Sequence, residues 1–244
     1  YATVLAAYAR LGRAHEVLNR LDAVFVAELR ERMERIVLLF MGARASASLL
    51  RDQAGTSSTR SARLDLARAC AAVPDEQYIP CLRNVLALGV DVMWNFLAVR
   101  KWHEEHPEDI TSGNSTSSSG NSSTTSTSID TAAGLARIHG KVWEAMQTHV
   151  ATLVRCAVLA RFPSEDALRI VEALNTFVEI GKEFCRIGGA GASSTSSTTS
   201  SRTQQRTGSD TLEATVQERC SAYFADLQRS MWEDLTTMYE KEQW

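Results

Sequence analysis

Apolar residues recur at steps of three and four along most of this chain, and that spacing predicts helices rather than strands. Residues 2–41 read as a short helix, a break near Gly12 and then a long amphipathic helix. Its apolar face carries Val17, Leu18, Leu21, Phe25, Leu29, Met33, Ile36, Val37 and Phe40. Gly42 follows where a cap is expected, because glycine enters the left-handed conformation cheaply. Residues 43–61 are small and polar and read as a loop. A short helix over 62–72 should stop before Pro74, and Pro80 is tolerated in a first helical turn or at a kink. From Leu82 to His106 the chain is apolar on almost every side, which predicts a helix buried centrally among others.

Two polar tracts interrupt this pattern. Residues 111–128 contain nothing but Thr, Ser, Gly and Asn, and such a tract has no apolar surface to offset its ordering entropy. It is therefore expected to be disordered, as is the second tract at 188–209. Between them, Leu135, Ile138, Val142, Met146, Val150 and Val154 mark one helix. Another follows Phe162-Pro163, with Ser164 as its N-cap and Glu165 and Asp166 suited to its positive end. After the second tract, Leu212, Val216, Cys220, Tyr223, Leu227, Met231, Leu235 and Met238 form a stripe with a mean step near 3.7. Both tracts fall between helices, so they read as loop insertions in one helical region spanning 1–244. Helices this long predict an all-α, elongated multi-helix bundle or helical rod. Trp94, Trp102 and Trp143 fall at packing positions and read as core, whereas Trp232 lies beside the last stripe. Trp232 and Tyr239 are the candidate interaction surface.

Composition narrows the possible functions. A net charge of −3 offers no basic footprint for nucleic acid. The five cysteines form no CxxC pair and read as reduced, mostly buried thiols. No run of about 18 apolar residues occurs, so no transmembrane helix is expected. Helical patterning is already under way at Val4 and still running near Trp244, so a longer protein is expected. No phosphate loop, nucleophile elbow or dinucleotide fingerprint is present. His103 and His106 are three apart, not the four that a zinc-protease helix needs, and Pro107 follows. Lys101–His106 therefore reads as a solvated helix end. No catalytic residue, metal, cofactor or small-molecule substrate is expected, and the chain does not read as an enzyme.

Ala7–Arg13 followed by Ala14–Leu21 suggests a tetratricopeptide unit, but no period of about 34 residues follows it. A stand-alone helical peptide-binding scaffold is thus an alternative without a repeat to support it. Four other blocks carry a clearer resemblance: Pro74–Leu82, Met93–His106, Ile170–Cys185 and Arg219–Trp244. In this order they resemble the syndetin family of membrane-tethering subunits. That resemblance implies a helical rod of the tethering-complex (CATCHR-like) type in a non-catalytic subunit of an endosomal complex, EARP, acting in recycling to the plasma membrane. It implies as partners the subunits shared with the related GARP complex, together with SNARE proteins and small GTPases. The implied location is cytoplasmic, peripheral on recycling endosomes and also trans-Golgi membranes. The GARP-specific vacuolar-sorting subunit, which acts in endosome-to-Golgi retrograde transport, is the neighbouring family with this architecture.

Overall fold

The helices expected from periodicity are present in a computed structural model of the chain, which describes residues 3, 14–42, 65–105, 124–189 and 210–242. Among the described residues, six α-helices follow one another. They are α1 (Ala14–Phe40), α2 (Leu66–Ala71), α3 (Asp75–Glu105), α4 (Thr124–Cys156), α5 (Ser164–Gly189) and α6 (Asp210–Lys241). A 3-10 turn, Leu159–Arg161, links α4 to α5. No strand occurs among the described residues, so the all-α class is borne out. The expectations for residues 4–13, 43–61, 106–123 and 190–209 lie outside the described residues.

By packing, the chain divides into two units, one drawn from 1–32, 87–146 and 180–208 and the other from 33–86, 147–179 and 209–244. In the first, Phe96 of α3 is fully buried and meets rings from three other helices. Phe25 of α1 stands edge-on at 5.6 Å, His139 of α4 at 5.3 Å and Phe184 of α5 at 6.1 Å. His139 in turn lies 3.8 Å from Phe184, the two ring planes tilted by 33°. Burial holds this imidazole neutral, down to about 4, and the Arg100 charge adds to the effect. Arg100 also donates to the Ile187 carbonyl at 2.6 Å, satisfying the C-terminal end of α5 where a cation is favoured. Asp22 of α1 accepts from Lys141 of α4 at 2.5 Å, and this bond holds its carboxyl below the usual range. Gly181 of α5 faces Trp143 of α4 so closely that no other side chain fits there without displacing the indole.

In the second unit the core includes Met33, Val37, Leu66, Cys70, Tyr78, Leu82, Leu153, Ile170, Leu174 and Phe177. Tyr78 of α3 packs 5.5 Å from Phe162 and donates its hydroxyl to the Leu153 carbonyl of α4 at 3.3 Å. The Cys156 thiol donates to the Ala67 carbonyl of α2. Asp65 caps the start of α2, its carboxylate accepting from the Ala67 and Arg68 amides.

Several local expectations are corrected. Trp94 is 68% exposed, not core, and α3 is not buried all round. Asn84, Ala87, Asp91, Trp94, Asn95 and Ala98 make a solvent stripe along it, at helical spacing. His103 is buried, so the helix end there is not simply solvated; Lys101, Glu104 and Glu105 take the solvent side. Pro80 lies in the second turn of α3, where its missing N–H leaves the carbonyl of exposed Glu76 free to meet water. Gly42 does follow α1, but its backbone is not left-handed. α5 starts at Ser164 itself, with the Pro163 carbonyl accepting from Ala167, so Ser164 is the first helical residue rather than the cap. α4 starts at Thr124, so residues 124–128 of the first tract are helical, since serine and threonine cost only a fraction of a kcal/mol each inside a helix. α3 is also long and apolar enough by composition to cross a membrane, contrary to the expectation from sequence. Its Tyr78, Leu82, Val85, Val92 and Phe96 are buried within the protein, as in a core helix.

Candidate interaction surface

α6 changes character along its length. Its first turns are packed: Leu212, Thr215 and Val216 are buried. Arg155, in the last turn of α4, donates to the Thr215 hydroxyl at 3.2 Å. Arg219 donates back to the Arg155 carbonyl at 2.6 Å, and a carbonyl so near a helix C-terminus has no helical donor. These bonds fix the N-terminal half of α6. From Phe224 onward the apolar side chains are bare. Phe224 and Trp232 are each 63% exposed, Met238 60% and Tyr239 74%, while Met231, Leu227 and Leu235 are exposed too.

Helix geometry explains the change. A stripe with a step near 3.7 on a helix of 3.6 residues per turn drifts by about 10° per step. Taking 100° per residue, the buried positions centre on Leu212 and Tyr223, while Phe224, Leu227, Met231, Leu235, Met238, Tyr239 and Trp232 share an arc of about 140° centred roughly 110° away. The apolar stripe therefore winds off the packed side. Thr236 and Thr237 turn their hydroxyls back to the Trp232 and Glu233 carbonyls at 2.8 Å, leaving the apolar atoms outermost. The charged groups sit largely on the other side of the helix, Asp226, Glu233 and Glu240 each lying roughly 150–170° from the centre of the apolar arc. Between residues 224 and 242, five acidic groups (Asp226, Glu233, Asp234, Glu240, Glu242) face two basic ones (Arg229, Lys241), a net of −3. Arg229 is already paired with Asp226 at 3.0 Å.

Trp232 and Tyr239, the two surface candidates from sequence, are thus exposed, one heptad apart on the same side of α6. Phe224, Leu227, Met231, Leu235 and Met238 join them, and all but Phe224 had read as part of one continuous apolar stripe. The drift in period was the signal that separates them.

Among the described residues, no group of three His, Cys, Asp or Glu stands where it could hold a metal. His103 lies edge-on to Trp102 at 5.3 Å, held neutral by burial, and His106 is outside the described residues. Burial pushes the Cys81 and Cys185 thiols to about 11 and raises Cys70 and Tyr78 further, so none is poised as a nucleophile at neutral pH.

Residues 1–102 match the family described as vacuolar-sorting protein 54, of GARP complex. The chicken syndetin (Gallus gallus) is 23% identical over 249 residues, covering 100% of this chain and 23% of the relative. Rat syndetin (Rattus norvegicus) is 23% identical over 247 residues, again covering 100% of this chain and 22% of the relative. The chain thus spans less than a quarter of the length of these curated relatives. No solved structure matches it. All-helical, similar to syndetins along its whole length and to the vacuolar-sorting protein 54 family over residues 1–102, the chain is a syndetin/vacuolar-sorting-protein-54-like sequence.

Proposed function

We propose that this chain is a helical part of a non-catalytic subunit of a multisubunit tethering complex of the EARP kind. In this reading it acts in the return of endosomal cargo to the plasma membrane. The observation that carries the proposal is similarity to syndetins over the whole chain, whereas the family of the GARP subunit matches residues 1–102 alone. The bare apolar face of α6 supports it physically, because a subunit that works by assembly needs helix surface left over after its own core is packed. The partners are the subunits common to GARP and EARP, with SNARE proteins and small GTPases engaged by the assembled complex. The location is the cytoplasmic side of recycling endosomes and of trans-Golgi membranes, reached through the complex. A second reading, a GARP-type subunit in endosome-to-Golgi transport, has the match over residues 1–102 in its favour.

Affinity purification of the tagged full-length protein tests both, together with its depletion from cells. Recovery of the shared subunits without the GARP-specific one supports the EARP reading. Defects in Golgi-retrograde cargo on depletion, with recycling intact, favour the second. Reproducible absence of all the shared subunits sinks both.

A further inference from the structure

Three cysteines from three helices meet around Tyr78 in the second unit: Cys70 of α2, Cys81 of α3 and Cys156 at the end of α4. Cys81 lies one turn beyond Tyr78 on α3, and the Tyr78 hydroxyl bonds to the Leu153 carbonyl one turn before Cys156. The Cys156 thiol reaches across to α2, where it donates to the Ala67 carbonyl at 3.5 Å. A helical carbonyl points along the axis toward the residues three and four further on, so this bond sets the Cys156 sulfur beside Cys70. We propose that Cys70 and Cys156 are a redox pair, which a peroxide oxidises to a disulfide that staples α2 to the end of α4. The pair goes beyond the tethering reading and does not depend on it.

Cys156 is the point of entry. It is half-buried, whereas Cys70 is 2% and Cys81 0% exposed, so a small oxidant meets Cys156 first. Burial raises the Cys156 pKa, but the Arg219 charge works against that and favours the thiolate. Arg219 is held there by its bond to the carbonyl of Arg155, the residue before Cys156. The thiolate attacks a peroxide oxygen. An S–O bond forms, the O–O bond breaks, and the hydroxide released takes up the thiol's proton as water. The Cys70 sulfur then attacks the Cys156 sulfur. The S–S bond forms, the S–O bond breaks, and hydroxide leaves with the Cys70 proton as a second water. Two thiols are thereby oxidised and one hydrogen peroxide is reduced. Burial raises the Cys70 pKa, and the neighbouring Cys156 and Cys81 charges add to the rise, so Cys70 is a weak nucleophile toward anything in solution. Held beside its target, however, it gains an effective concentration that no solution thiol has.

The test treats the full chain with a modest excess of hydrogen peroxide and then alkylates the remaining thiols under denaturing, non-reducing conditions. Mass spectrometry of the digest should find Cys70 linked to Cys156, with Cys81, Cys185 and Cys220 alkylated. The staple should raise Tm by roughly 5 °C or more, and dithiothreitol should reverse the rise. Cys156→Ser should form no link. Cys70→Ala removes the resolving thiol, so its Cys156 should stop at the sulfenic acid and be trapped by dimedone well above the wild-type level. Should Cys70→Ala fail to fold, the wild-type peptide map decides alone. The proposal is overturned if all five thiols stay free, or if the link joins another pair or two separate chains. It is also overturned if Cys156 runs on to the sulfinic acid while Cys70 stays a thiol, or if the oxidised chain melts no higher than the reduced one.

Discussion

Replacing Gly181 by alanine sets two effects of opposite sign against each other. Alanine in place of glycine inside an exposed helix stabilises by about 0.8–1 kcal/mol through backbone entropy. Gly181, however, is buried in α5 against the Trp143 ring, and an added Cβ would overlap the Cη2, Cζ2 and Cζ3 atoms. The indole has little room to yield, because Trp143 is itself 5% exposed. Overpacking of this kind typically costs about 1–3 kcal/mol, and an overlap this deep belongs at the upper end. The net expectation is a loss of about 1–2 kcal/mol, or roughly 2–8 °C in Tm for a chain of this size. Urea unfolding followed by far-UV circular dichroism measures it. A second variant isolates the contact: in a Trp143→Leu background, Gly181→Ala should lose its penalty, giving a coupling energy of about 1 kcal/mol or more. If Gly181→Ala instead raises stability by about 1 kcal/mol in both backgrounds, propensity alone governs the site and the close packing against Trp143 is wrong.

Three further outcomes follow from buried groups. His139 is held neutral down to about 4 in the folded chain against 6.5 when free, so its contribution is complete above pH 6.5 and is lost as pH falls from there through about 4. That loss amounts to roughly 3 kcal/mol, and a His139→Phe variant should show a correspondingly flatter stability curve; identical slopes in the two proteins would count against it. Gln147 is 1% exposed and neither amide atom has a hydrogen-bond partner among the described residues, so Gln147→Met should stabilise by about 1 kcal/mol in urea; a loss of that size would mean the amide is satisfied. Phe96→Ala removes the ring shared by Phe25, His139 and Phe184 and should cost about 3–5 kcal/mol in the same assay.

Much of this architecture was legible from residue pattern. The helices containing Leu29, Val37, Leu82, Phe96, Val142 and Phe177 follow from period 3.6, because a helix is a local structure and its faces are set by spacing along the chain. The ends were less legible: Ser164 and Thr124 each shift a boundary, since caps and first turns compete within a few tenths of a kcal/mol. Of the tryptophans read as core, Trp94 was misjudged while Trp143 was not. Trp94 and Trp143 occupy similar sequence surroundings, yet Trp94 is exposed and Trp143 closes onto Gly181. Nothing near either residue in sequence records what lies across from it.

The last helix divides the two kinds of information most clearly. The sequence alone determined that residues 210–241 are helical, that their apolar side chains form a stripe, and that its period exceeds 3.6. It also carried the candidate pair Trp232 and Tyr239. The tertiary structure decided where cover ends: Leu212 and Val216 are packed, Arg219 bonds to the end of α4, and the stripe from Phe224 to Met238 faces solvent. Spacing assigns residues to a common face through local geometry, whereas burial of that face depends on segments distant in the chain, and no local pattern encodes their positions.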